Sequence, residues 1–190
     1  TQASLADIFL NEAGQPDQAS ASPDDVQEVL NYVAALEHGM ARLAVLPLSL
    51  RLMNEMHAKL MTGVRGQFAT PGEIRRSQNW IGPAGSNPVN ATYVPPPPDE
   101  LPQLLSAWEK FIHTREVMPD LVQCALIHEH FEAIHPYLDG NGRIGRLLIT
   151  LFLMERGRLS QPLLYLSDYI ERHRQDYYRL LLRVRTDGDY

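Results

Sequence analysis

Disulfides are ruled out first, because the 190-residue chain contains one cysteine, Cys124. The fold must therefore rest on an apolar core, and with 44% hydrophobic residues it has the material for one. A reducing, cytoplasmic setting is the expectation. Positive charge is scarce: 17 Lys and Arg against 23 Asp and Glu leave a net charge of −6. Phosphate-backbone recognition needs clustered cations, so a dedicated nucleic-acid binder is not expected. Long apolar runs are also missing. The strongest, Leu147 to Met154, is far shorter than the roughly 20 residues of a membrane span, and no basic-then-apolar leader opens the chain, so no membrane partner is expected. No repeat of fixed period is found, which excludes a solenoid.

What is present is mostly helical periodicity. Val26, Val29, Leu30, Val33, Leu36 and Met40 recur at three-to-four spacing behind the start signal Ser22, Pro23 and Asp24. Leu48, Leu52, Met56 and Leu60 form a second stripe after Pro47. From 64 to 98 the glycines and the run Pro95 to Pro98 forbid a helix, and residues 79–81 and 91–94 predict the arms of a small β-hairpin. Helix resumes at Asp99 with Leu101, Leu105 and Trp108. It resumes again at Pro119 and Asp120, where Leu121, Val122, Ala125, Leu126, Glu129 and Phe131 are read along the next segment. Residues 120–157 predict two helices around a polar glycine loop, closed by Gly157, and a last helix is expected over 167–186 behind a Ser167 cap. The prediction is a mainly α fold with one small hairpin, in a single domain spanning 1–190 whose lead-in covers 1–22.

Chemistry concentrates in His135-Pro136-Tyr137-Leu138-Asp139-Gly140-Asn141-Gly142-Arg143-Ile144-Gly145-Arg146. Its glycines let successive backbone N–H groups turn toward one point at a helix N-terminus, which is an anion site. Arg143 and Arg146 stand at that same helix start, where cations oppose the dipole, so a bound polyanion is expected between them. Asp139 is a hard oxygen ligand suited to Mg2+ carried by a phosphate substrate. His135 has the side chain best placed in pKa to take a proton near neutrality. Gly140-x-Gly142-x-x-Gly145 also matches the dinucleotide fingerprint, but that pattern needs a preceding strand and here follows a helix. His128-Glu129-His130 is not a zinc motif, because residues two apart on a helix diverge.

This segment resembles the signature of the Fic family, H-P-F/Y-x-D/E-G-N-G-R-x-x-R, with Tyr137 in the aromatic slot. The likeness extends to Arg75-Arg76-Ser77-Gln78-Asn79-Trp80-Ile81-Gly82, the proline run, Tyr165-Leu166-Ser167 and Tyr177-Tyr178. It implies a Fic-type helical bundle that moves AMP from ATP to a hydroxyl of a protein side chain and releases pyrophosphate. By resemblance His135 would be the general base and Asp139 the Mg2+ ligand. Gly140, Asn141, Gly142, Arg143, Ile144, Gly145 and Arg146 would bind the phosphates, with Arg143 toward the β-phosphate and Arg146 toward the γ-phosphate. Tyr177 and Tyr178 would lie near adenine, one of them reaching it. Trp80, Ile81 and Tyr93 would form a flap that holds the target as an added strand. Self-modification, transfer of another phosphate-containing group and nucleotide sensing belong to the same range of readings. Many relatives carry an inhibitory helix, Ser/Thr-x-x-x-Glu-Gly/Asn, that acts on the second motif arginine. Only Ser167-x-x-x-Glu171 has that spacing, and Arg172 follows it. The inhibitory element is accordingly expected before Thr1, and a winged-helix domain, the one route to nucleic acid, beyond Tyr190.

Overall fold

The computed structural model describes residues 21–64, 69–115, 118–162 and 166–188, apart from the Ser167 side chain. The expected Ser167 cap and all of the 1–22 lead-in except residues 21 and 22 lie outside the described residues. The chain divides into two units, Thr1–Ile74 and Arg75–Tyr190.

In the first unit, helix α1 (Pro23–Leu43) starts where the sequence signal places it: Ser22 Oγ accepts the Asp25 N–H, Pro23 occupies the first turn and Asp24 and Asp25 face the positive end of the dipole. Its buried stripe is Val26, Asn31, Ala35 and Gly39, while Val33 is exposed. Helix α2 (Leu50–Leu60), capped by Ser49, packs against α1 and buries Leu52, Met53, Met56 and Leu60. Asn31 bonds the carbonyls of Leu60 and Thr62 and so closes the C-terminal end of α2. Glu55 gathers Arg42, His38 and Arg51, and those hydrogen bonds pull its carboxyl down to about 2.

The second unit carries the site. Helix α3 (Leu101–Ile112) is pinned to α4 (Asp120–Ile134) by Trp108, whose indole N–H donates to Ile127 O at 3.0 Å and whose ring lies 5.5 Å from Phe131. Helix α5 (Asn141–Glu155) packs along α4 and is apolar on most faces, with Ile144, Leu147, Leu148, Leu151 and Phe152 buried. Gly157, at φ 66°, ends it by turning the chain through the left-handed region, as expected.

Three features differ from what the sequence pattern suggests. The apolar pair at the start of α4 faces outward, with Leu121 69% exposed, and the helix instead buries Gln123, Cys124, Ile127, His128, Glu129, Phe131, Glu132 and Ile134. The last helix is two: α6 (Leu166–Arg172) and α7 (Arg174–Asp187), broken by a single off-helical residue, His173, at ψ 26°. The bonds from His173 N to Tyr169 O and from Tyr177 N to His173 O carry the chain across this break. The hairpin is reduced to one antiparallel bridge, Ile81 to Tyr93, closed by reciprocal N–H to O bonds of 2.8 and 3.0 Å.

Candidate active site

Helix α4 ends on His135, which adopts φ 50° and ψ 62°, a left-handed conformation costing a non-glycine residue on the order of 1 kcal/mol. Its ring Nδ1 lies 3.3 Å from Glu132 O. A carbonyl oxygen can only accept, so Nδ1 carries the proton and Nε2 keeps the lone pair. Burial pushes the imidazole down to about 4, and the charges of Arg185 and Arg75 push the same way. The ring is therefore neutral at physiological pH and able to accept a proton.

The loop between α4 and α5 is built from its own side chains. Tyr137 is fully buried against Phe131, and Asn141 brackets its main chain, accepting from Tyr137 N and donating to Tyr137 O at 2.9 and 2.8 Å. Asp139 Oδ1 accepts the Gly140 N–H at 2.6 Å, and Gly140, at φ 79°, takes a turn that suits glycine. The first turn of α5 is thus presented with the N–H groups of Asn141 and Gly142 beyond the reach of intrahelical partners, at the positive end of the dipole.

Both motif arginines already face an acidic group. Arg143 Nη2 lies 3.6 Å from Asp139 Oδ1. Arg146 Nη1 lies 3.5 Å from where a Gly142 Cβ would stand, Glu132 Oε1 lies 3.9 Å from the same point, and the Arg146 charge acts on Glu132. These acidic neighbours are invisible to helix-start statistics, and the Asp139 carboxylate offsets part of the cationic charge at the positive end of α5. Ile144 and Gly145, expected among the phosphate-binding groups, turn inward. Ile144 is fully buried with its N–H on Gly140 O, and Gly145 presents its carbonyl to His128 Nδ1 at 3.1 Å.

Beneath the loop lies a buried polar layer that sequence reading missed. His128 Nδ1 donates to Gly145 O, so its Nε2 accepts the Tyr177 hydroxyl, 2.7 Å away. Burial holds this imidazole down at about 4. Arg185 stands 3.5 Å from Glu129 and 4.3 Å over the Tyr93 ring. Of the two tyrosines on α7, Tyr177 is spent on His128, while Tyr178 is 53% exposed beside Arg174. Glu132 is buried, its Oε1 has no hydrogen-bond partner, and desolvation drives its carboxyl up to about 7. Four buried polar residues on one helix were the available signal, and apolar periodicity does not register them.

Glu132 sets a pH dependence of stability. Its folded pKa lies above the ordinary 4.5, so the folded state holds an extra proton and stability falls as pH rises from about 4.5 through 7. His128 and His135 act oppositely, their contribution being lost as pH falls from 6.5 toward 4. Denaturant unfolding at pH 5 and pH 8 is expected to show Glu132→Gln gaining about 3 kcal/mol on the parent between the two.

Around the hairpin, Tyr93 is tied down, its hydroxyl donating to Ala133 O at 3.0 Å, whereas Trp80 remains 42% exposed and bonds Ser86 O within its own loop. Ile81 is held between them by the bridge. Among the described residues no helix is long and apolar enough to cross a membrane.

The elements described make a helical protein in which a helix start with unpaired N–H groups lies next to a neutral histidine. The chain belongs to the Fic/DOC family: that family's description matches residues 47–153, and the Fic/DOC family N-terminal description matches residues 1–41. It is 27% identical over 171 residues to the protein adenylyltransferase Fic of Drosophila erecta, covering 88% of this chain and 31% of that protein. To the protein adenylyltransferase Fic of Culex quinquefasciatus it is 30% identical over 172 residues, with coverage of 88% and 31%. The crystal structure of a Fic family protein from Desulfovibrio desulfuricans G20 superposes with a TM-score of 0.79 at 26% identity, over 99% of this chain and 54% of that one. The chain therefore spans about a third of the length of the curated relatives it matches.

Proposed function

We propose that this chain is a protein adenylyltransferase that moves AMP from ATP to a hydroxyl side chain of a target protein. The observation that carries the reading is the state of His135, a neutral imidazole whose Nδ1–H is engaged by Glu132 O and whose Nε2 is left to act as base, four residues before Asp139 and six before the α5 start. The names of the adenylyltransferase relatives support the choice of AMP.

In this reading His135 Nε2 takes the target hydroxyl proton as that oxygen bonds to the α-phosphorus, and the bond to the β-phosphate oxygen breaks to release pyrophosphate. The N–H groups of Asn141 and Gly142 hold phosphate oxygens, with Arg143 toward the β-phosphate and Arg146 toward the γ-phosphate. Tyr178, the exposed member of its pair, is the one available to a base. Asp139 fits a Mg2+ role: it is a half-exposed carboxylate, and among the described residues no three His, Cys, Asp or Glu side chains form a metal cage. An ion there would complete its shell with phosphate oxygens and water, as Mg2+ does, and would neutralise phosphate charge. The Ile81 and Tyr93 pair, with Trp80 beside it, would receive the target segment as an added strand. Self-modification and a cytoplasmic setting complete the proposal, along with action as one domain over 1–190; nucleic acid would enter only through a further domain.

With α-labelled ATP and Mg2+, label is expected on protein, and with γ-labelled ATP none. Label from the γ-position instead would replace adenylyl by phosphoryl transfer, and nucleotide binding with no transfer to any protein would leave a sensor.

A further inference from the structure

Among the described residues the largest fully buried side chain is an arginine, Arg75, whose four side-chain hydrogen bonds end on main-chain carbonyls. Nε donates to His135 O at 2.9 Å and Nη2 to Ile134 O at 3.4 Å, where α4 ends. Nη1 donates to Ser77 O at 3.2 Å and Nη2 also to Pro96 O, one carbonyl on each side of the flap bridge. The Arg75 main-chain N–H reaches Pro136 O at 2.9 Å, and Asn79 Nδ2 reaches Tyr137 O at 3.0 Å. Four consecutive carbonyls, 134 to 137, thus receive donors from the segment that leads into the flap. The cation also lies against the carbonyl end of α4, where positive charge is favoured.

We propose that Arg75 is a positioning residue for His135: its guanidinium clamps the left-handed turn that carries the imidazole to both ends of the flap, so base and target-holding segment share one support. This rests on His135 being the base. The planar fork of an arginine can serve both sides of the clamp at once; a lysine ammonium keeps the charge but has no fixed fork. Because the phosphate groups engage α5, loosening the clamp should disturb the proton-accepting geometry and spare nucleotide binding.

The test compares the parent, Arg75→Lys, Arg75→Gln and the neighbouring control Arg76→Lys, with kcat expressed per ATP-binding site so that unfolded protein drops out. Both Arg75 variants are expected to lose kcat by about 100-fold, the scale of a small misplacement, with the ATP KM and Kd within about two-fold of the parent. Arg76→Lys is expected to match the parent. In parallel, NMR of the His135 imidazole should give one narrow set of signals in the parent and shifted or multiple signals in both Arg75 variants. Parent-like kcat and parent-like His135 signals overturn the proposal. Failure of both variants to yield any ATP-binding protein assigns Arg75 to folding alone and also overturns it. If the parent itself transfers no AMP, the adenylyltransferase reading falls, while the NMR comparison still decides whether Arg75 places His135.

Discussion

Replacing His135 with asparagine is expected to cut adenylyl transfer by about 1,000-fold and to leave ATP binding within about two-fold of the parent. Asparagine is the sharper choice because residue 135 sits at φ 50°, a region asparagine tolerates and alanine does not. His135→Ala should be as inactive and, by denaturant unfolding, about 1 kcal/mol less stable than His135→Asn. The loss follows from the tautomer. With Nδ1–H held by Glu132 O, Nε2 is the one ring atom able to accept the hydroxyl proton. Since the imidazole is held at about 4, the parent's transfer rate should be level from pH 6 to pH 8 and should fall only toward pH 4. An acid limb centred near 6.5 would show a histidine that the protein leaves unperturbed, and transfer surviving in either variant would remove it from the role of base.

The second large effect is expected at Gly145. A methyl group there would collide with Glu132 Oε1 and stand 3.1 Å from His128 Cε1 and 3.2 Å from His128 Nδ1. Glu132 would have to swing its carboxyl within a buried site, and His128 cannot step aside without loss because both its nitrogens are engaged, by Gly145 O and Tyr177. Gly145→Ala should lower stability by about 2 kcal/mol, a shift of roughly 6 °C in Tm at this chain length, and weaken ATP binding as the first turns of α5 are pushed off α4. Gly157→Ala is the contrast: nothing lies within 4 Å of its Cβ position, so only the strain at φ 66° remains, worth about 1 kcal/mol, and ATP binding should be unchanged. Equal effects of the two substitutions would contradict the packing argument.

These two positions show where the sequence could be read and where it could not. The helices α3 to α5, the loop between them and the left-handed closures follow from local signals: three-to-four apolar spacing, Pro119 before α4, Gly140 and Gly157 at the turns. Gly145 was legible as a glycine of the motif, and the structure adds close helix packing as a reason for it. The polar layer was not legible. His128, Glu129 and Glu132 occupy core positions that a periodicity argument assigns to apolar residues, while Leu121 and Val122 look like core and face outward. Arg75 and Arg185 act on partners about 60 residues away in the chain, a relation that no local pattern encodes. The break at His173 has neither glycine nor proline to announce it. The two motif arginines raised the expectation of a polyanion on an incomplete premise, since Asp139 lies beside Arg143 and Glu132 near Arg146.

The group transferred from ATP defines the activity. The most direct measurement is the intact mass, followed by peptide mapping, of protein incubated with the chain, ATP and Mg2+. A gain of one adenylyl group on a serine, threonine or tyrosine hydroxyl, absent with His135→Asn, is the predicted result; a gain of a phosphoryl group, or an adenylyl gain that persists in that variant, would contradict it.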